Sequence, residues 1–227
     1  MSIRLKLKDP SSEGTEGADI DAVVFDCDGV LLETISAKLQ AYMDWIPAGL
    51  SGLKGVFSAH NRKSFGQSRA VQIRYFYEVL AGMTEVTEEF LEKEVARFTS
   101  VCEPLCETAP WAVGANEFVN VCREAGCRTA VLSGTPQAEL EAMLVQRDAM
   151  GLFDLVMGFP ITKEDGLEKV LNRYKVAAGK VLFVGDAQRD AEAALTVGTH
   201  FVYRPSEADR PLCPIANEAV DLRVLLH

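Results

Sequence analysis

The sequence has no C-x-x-C pair among its six cysteines, and its three histidines (His60, His200 and His227) lie far apart. The histidines therefore complete no zinc-ligand spacing with them. No apolar run approaches the ~20 residues that a membrane-spanning helix needs. The first residues carry Arg4, Lys6 and Lys8 but lack the apolar core of a secretory signal. Basic residues are outnumbered, 23 against 33 acidic ones, giving a net charge of −10. A chain of this kind has no basic face for general nucleic-acid binding. It can still take a small anion, because a bound cation and a few Lys or Arg reverse the field inside a cleft. There is no internal repeat. The expectation is a soluble cytoplasmic chain with reduced thiols and neither membrane nor nucleic acid as partner; the expected assembly is a monomer or homodimer.

What is present begins with Ala22-Val23-Val24-Phe25-Asp26-Cys27-Asp28-Gly29-Val30-Leu31-Leu32-Glu33-Thr34. The first apolar run reads as a buried strand, being short, β-branched and aromatic, and bounded by turn residues. Asp26 and Asp28 therefore sit where that strand leaves its sheet. Two carboxylates about 4 Å apart repel by about 4 kcal/mol at an effective dielectric near 20, so such a pair needs a cation or a proton. A plain Asp-Gly turn is the alternative.

Residues 1–19 read as a flexible tail. Ile3, Leu5 and Leu7 alternate with basic residues as a short edge strand, and a turn-rich stretch follows from Asp9 to Gly17. After the opening strand come helical patterns only. Leu39, Tyr42, Met43 and Ile46 form one apolar face, and Ile73, Phe76, Tyr77 and Leu80 another. Thr87 reads as the N-cap of a third helix, with Glu88 and Glu89 in its first turn. From Pro110 the pattern changes to alternating helices and strands, with strands at 128–133, 153–157, 180–185 and 201–203. Repeated βα units predict a mostly parallel sheet covered on both faces, with ligands beyond the carboxyl ends of its strands.

Three more polar clusters lie at those ends. Ser133-Gly134-Thr135-Pro136 reads as a loop with Thr135 at an N-cap and Pro136 at the first helical position. It is either a phosphate cradle, with the Ser133 hydroxyl and the Gly134 backbone as donors, or an ordinary capped loop. Gly185-Asp186 ends another apolar strand, with Asp190 four residues on. Such carboxylates suit Mg2+, although Asp190 also suits a helix N-terminus on its own account. Lys163 falls in a first helical turn, where a cation opposes the helix dipole unless something anionic is close.

Taken together, the four clusters resemble those of the haloacid dehalogenase-like superfamily. Its D-x-D-G-[VT]-L motif is matched from Asp26 through Thr34, its Ser/Thr motif by Ser133, its lysine by Lys163, and its G-D-x-x-x-D motif by Gly185, Asp186 and Asp190. The match runs along roughly residues 20–204. It departs from the common pattern at Gly134, where Asn is frequent, and at Glu164, where Pro is usual.

The resemblance implies an α/β fold with a Rossmann-like parallel core over 20–35 and 109–227. An inserted helical cap over 36–108 resembles that of the phosphoglycolate phosphatase and β-phosphoglucomutase branch. It implies Asp26 as nucleophile, Asp28 as general acid and base, and Mg2+ held by Asp26, the Asp28 backbone, Asp186 and Asp190. Ser133, Gly134 and Lys163 would hold the phosphate of a small phosphorylated metabolite. The polar stretch 60–69 reads as a cap loop, with His60, Arg62, Lys63 and Arg69 as substrate contacts. The expected reaction is phosphomonoester hydrolysis. A phosphomutase and a non-catalytic phosphometabolite-binding module are the alternatives. A response-regulator receiver does not fit, since its acceptor aspartate lies on a later strand than its acidic pair and it has no helical insert.

Overall fold

The apolar run at 22–25 becomes the middle strand of a five-stranded sheet in the computed structural model, which describes residues 2–8, 15–64 and 66–226. The chain runs β1 (Ile3–Lys8), β2 (Thr15–Ile20), β3 (Ala22–Phe25), α1 (Ile35–Trp45), α2 (Lys54–Lys63), α3 (Arg69–Tyr75) and α4 (Glu88–Glu107). It continues with α5 (Ala115–Glu124), β4 (Arg128–Pro136), α6 (Gln137–Gln146), β5 (Leu155–Phe159), α7 (Lys163–Tyr174), β6 (Val181–Gly185), α8 (Gln188–Val197) and β7 (His200–Tyr203). The sheet order is β5-β4-β3-β6-β7, and every neighbouring pair is parallel. The α/β parallel core and inserted helices expected from the sequence are borne out.

Both faces of the sheet are covered, which is why its strands read as unbroken apolar runs. Val23, Phe25, Val131, Leu182 and Val184 pack on one side with Phe118 and Val119 of α5 and Leu140 and Leu144 of α6. Val24, Ala130, Leu132 and Phe183 pack on the other with Leu167 and Val170 of α7 and Ala193 and Ala194 of α8. Alternate residues along each strand thus serve opposite layers. Because β3 is central, the carboxyl ends of β4 and β6 flank its own. Among the described residues no helix is long and apolar enough to cross a membrane.

The chain divides into two compact units. One holds the residues up to Glu33, Pro110–Ser206 and those from Arg210 onward; the other holds Thr34–Ala109 with Glu207–Asp209. The second unit is helical and closes around aromatic rings, with Tyr42 stacked on Phe98 at 4.1 Å and Trp45 edge-on to Phe76 at 5.2 Å. Thr87 and Ser68 cap α4 and α3, accepting from the Phe90 and Val71 backbone N–H groups. Residues 207–209, which the sequence assigns to the core, count with the helices. The Arg62 guanidinium donates to the Glu207 carbonyl at 2.9 Å, and the Asp209 N–H donates to the Arg62 carbonyl at 3.2 Å.

The flexible tail expected at residues 1–19 needs correction over its described part. β1 and β2 pair antiparallel, Ile3 opposite Ile20 through Lys8 opposite Thr15. Alternation in β1 sends Leu5 and Leu7 into the core beside Ile20, Leu222 and Leu225. Residues 9–14 of the turn-rich stretch lie outside the described residues. Truncation of the buried Leu5 to Ala is expected to cost ~2–5 kcal/mol, as for a core leucine. Urea unfolding checks it, and a loss below ~0.5 kcal/mol, typical of the surface, would return the segment to a tail.

Candidate active site

Asp26 follows β3 directly, and its N–H continues the ladder by donating to the Val184 carbonyl at 2.9 Å. The chain then turns tightly, the Cys27 carbonyl accepting from Leu31 and Leu32, both at 2.9 Å. Gly29 makes the turn possible with φ +74°, a left-handed conformation that costs glycine little. Asp26 and Asp28 are therefore carried on one rigid loop, both buried. Their surroundings differ.

The Oδ1 of Asp26 accepts from the Cys27 N–H at 2.7 Å and pairs with the Lys163 ammonium at 3.0 Å. Lys163 is the first residue of α7, whose N-cap Thr162 accepts from the Asp165 N–H. Its Nζ also meets Asp190 Oδ1 at 2.9 Å and donates to the Leu132 carbonyl at 2.8 Å. Burial pulls this lysine down, but the two carboxylates outweigh burial and raise the ammonium above the ordinary lysine value. Asp26 is pushed up to about 7, mainly by burial, with Asp190 and Asp28 adding to the effect and Lys163 opposing it.

The carboxylate of Asp28 has different partners. Its Oδ2 accepts from the Thr135 hydroxyl at 2.8 Å and from the Ser133 hydroxyl at 3.4 Å. Gly134, between them, is exposed.

Asp186 follows β6. The Oδ2 of Asp190, one helical turn on, accepts from the Asp186 and Ala187 N–H groups at 3.2 and 3.1 Å, closing the start of α8. Gly185 permits that closure, because a Cβ there would lie 2.4 Å from the Cβ of Asp190. Both oxygens of Asp186 are buried without a hydrogen bond of good geometry, the Ser206 hydroxyl exerting only a weak pull. Burial, then the charges of Asp26 and Asp190, raise Asp186 well above the ordinary carboxylate range. Asp26, Asp186 and Asp190 each offer an oxygen within 4.8 Å of the others. The Lys163 ammonium pairs with Asp26 and Asp190, and the Asp186 oxygens, without a hydrogen bond of good geometry, fit a hard cation that takes oxygen ligands. These three could hold a metal ion.

A family model for haloacid dehalogenase-like hydrolases matches residues 20–198. The chain belongs to that family. It is 25% identical over 181 residues to a phosphoglycolate phosphatase of Synechococcus elongatus, covering 79% of this chain and 81% of the relative. Among solved structures it is similar to CbbY of Rhodobacter sphaeroides in complex with phosphate, with TM-score 0.71, 15% identity and coverage of 89% and 95%. It is also similar to the β-phosphoglucomutase of Clostridium difficile, with TM-score 0.66, 15% identity and coverage of 81% and 84%. These structural likenesses show the shared fold.

In this hydrolase the structure brings together Asp26, Asp28, Ser133, Lys163, Asp186 and Asp190. The Asp28 side chain stands apart from the three-carboxylate group, the expectation there having been its backbone. The stretch 60–69 is not one loop: α2 runs through His60, Arg62 and Lys63, and α3 begins at Arg69. Phe57 and Asn61, one turn apart, face inward, so the polarity belongs to the outer side of a helix. His60 stacks on Tyr75 at 3.6 Å, and Arg69 lies over Phe98 while donating to Thr99 at 2.8 Å.

Two residues near the carboxylates escape sequence reasoning. Thr135 reads as a helix cap, yet β4 runs on to Pro136 and the Thr135 hydroxyl goes to Asp28. Arg204, just past β7, is buried, and its guanidinium donates to the Gly29 carbonyl at 2.6 Å and pairs with Glu33 at 2.5 Å. A basic residue at the carboxyl end of the last strand was its one available signal.

The crowded carboxylates make the metal-free protein pH-sensitive in a definite direction. Folded Asp26 and Asp186 hold protons that the unfolded chain releases near pH 4. Between about pH 4 and 7 the folded state therefore holds more protons than the unfolded state, and the stability contributed by these two groups falls as the pH rises through that window. Asp186→Asn should be more stable than the parent in chelator, by a margin that widens from pH 5 to pH 7. Paired urea titrations check this, and a margin that is flat or shrinking contradicts it.

Proposed function

We propose that this hydrolase is a Mg2+-dependent phosphatase of a small phosphorylated metabolite, working as a cytoplasmic monomer or homodimer. One observation carries the reading: two carboxylates on one short loop are held in opposite surroundings. Asp26 sits against an ammonium and two further carboxylates, whereas Asp28 is held by two hydroxyls. Paired acids in contrasting environments are how one site runs two roles.

In the first step an oxygen of Asp26 forms a bond to phosphorus as the bond to the leaving oxygen breaks. Asp28 gives that oxygen its proton. In the second step Asp28 takes a proton from water, whose oxygen bonds to phosphorus and releases Asp26. The covalent intermediate divides one difficult displacement into two easier ones. Ser133, the Gly134 N–H and Lys163 receive the charge spread over the phosphoryl oxygens. Asp26, Asp186, Asp190 and the Asp28 backbone would hold Mg2+, which supplies neutralisation of charge when bound. Lys163 keeps the Asp26 carboxylate oriented through Oδ1.

Choice of the leaving group is assigned to the helical unit. Arg62 and Arg69 already bind groups of that unit, Glu207 and Thr99. Burial lowers His60 below the ordinary histidine value, so it acts as a neutral hydrogen-bonding ring near pH 7. Lys63, exposed at the end of α2, is the remaining cation of the set.

The phosphatase named among the relatives makes phosphoglycolate the natural first compound in a panel of phosphomonoesters that includes sugar phosphates. Phosphate release with Mg2+, abolished by chelator, is expected. Asp26→Asn should lower it by at least ~10³-fold, as loss of a nucleophile does. A panel with no release in Mg2+ defeats the reading, and an isomerised sugar phosphate without release replaces it with a mutase.

A further inference from the structure

We infer that Thr135 is a positioning residue that aims Asp28 at the leaving group, an inference that rests on the phosphatase reading. The two residues are 107 positions apart in the chain, yet the Thr135 hydroxyl donates to Asp28 Oδ2 at 2.8 Å. Thr135 also acts through its neighbour. Its backbone N–H donates to Ser133 Oγ at 3.1 Å, and the Ser133 hydroxyl donates in turn to the same Asp28 Oδ2 at 3.4 Å. The Ser133 contact is long, which leaves that hydroxyl available to the phosphoryl group, and the Thr135 hydroxyl is the close donor on Oδ2.

All three side chains are buried, Asp28 at 6%, Ser133 at 1% and Thr135 at 3% exposure, so water does not compete freely for these bonds. The loop fixes the backbone of Asp28, and pinning Oδ2 fixes the last torsion of the side chain. The direction of Oδ1 follows. A proton donor must lie within hydrogen-bond reach of the leaving oxygen, and a displacement of ~1 Å in a reacting group costs ~10²-fold.

The backbone is built to deliver this hydroxyl. Pairing between β4 and β5 is regular through Leu132 opposite Met157, then shifts so that Pro136 meets Phe159. Beyond the shift the two strands approach closely, and a Cβ on Gly158 would lie 2.6 Å from the Thr135 carbonyl oxygen. The Gln137 side chain clamps the same place, accepting from the Gly158 N–H at 2.5 Å and donating to the Val156 carbonyl at 3.2 Å. An ordinary capped loop would direct Thr135 back to the α6 N–H groups. Here the strand carries on past Ser133, and the hydroxyl crosses to β3's loop instead.

The test compares kcat/KM, which reports the phosphoryl-transfer half of the reaction, on an aryl phosphate and on an alkyl phosphate from the release panel. An aryloxide leaves with little help, whereas an alkoxide needs its proton. Thr135→Val should lose roughly 10-fold to 100-fold on the alkyl ester, within the ~10²–10⁴ that a positioned acid contributes. On the aryl ester it should stay within ~3-fold of the parent, and Thr135→Ser should recover the alkyl-ester rate. The alkyl-to-aryl ratio does not depend on how much of a variant is folded, and Thr135→Ala supplies the same ratio if Thr135→Val does not fold. Asp28→Asn is the reference and should show the same split, only larger. A split in Asp28→Asn with none in the Thr135 variants overturns the positioning role and leaves the phosphatase reading standing. No split in Asp28→Asn removes its general-acid role and the inference falls with it, while phosphate release across the panel still decides the phosphatase reading.

Discussion

The Lys163 ammonium reaches three parts of the sheet's carboxyl edge at once: Asp26 after β3, the Leu132 carbonyl in β4, and Asp190 in the helix that follows β6. Taking these charges out of water is costly, several kcal/mol per ion even after relaxation. The arrangement survives because each charge faces an opposite one at about hydrogen-bond distance. Even so, the one ammonium pairs with two carboxylates, and Asp186 brings a third within 4.8 Å of them; ionised together, such neighbours repel by several kcal/mol at an effective dielectric near 20. Without a cation the site relieves that repulsion by holding protons on Asp26 and Asp186. Electrostatic tension of this kind does not stabilise the fold, and it suits these carboxylates to a cation.

Arg204 braces the same edge from a second direction. Its backbone N–H donates to the Gly185 carbonyl at 2.8 Å while its guanidinium holds Gly29 and Glu33. The loop carrying Asp28 and the strand end preceding Asp186 are thereby fixed to one residue. Two buried cations hold the acidic loops in register, one among the carboxylates and one behind the turn.

Most of this was legible in the residues, and the misses share a cause. Strands buried on both faces appear as apolar runs, and each acidic or hydroxyl residue at their ends stands out by contrast. The spacing of Asp26, Ser133, Lys163 and Asp186 along the chain marks four strand ends before any sheet is drawn. Thr135 was misread because a threonine before a proline looks the same whether it caps a helix or extends a strand. Pairing with β5 decides between the two, and that pairing is remote in sequence. The hairpin was missed because β2 contains Gly17 and Asp19, which weaken any local strand signal, while β1 shows alternation without a partner. Arg204 and β1 also lie outside the span matched by the family model. At residues 60–63, polarity was taken for a loop when it was the outer face of α2.

Glu207–Asp209 belong to the helical unit although they follow the last strand of the sheet. The helical unit is consequently not a contiguous module that evolution or an engineer can lift out between Glu33 and Pro110. A graft of residues 34–109 onto another core would leave the Arg62 guanidinium and carbonyl without Glu207 and Asp209. Exchange of this unit between relatives has to carry a short piece of the C-terminal segment with it, so the two stretches are expected to diverge together.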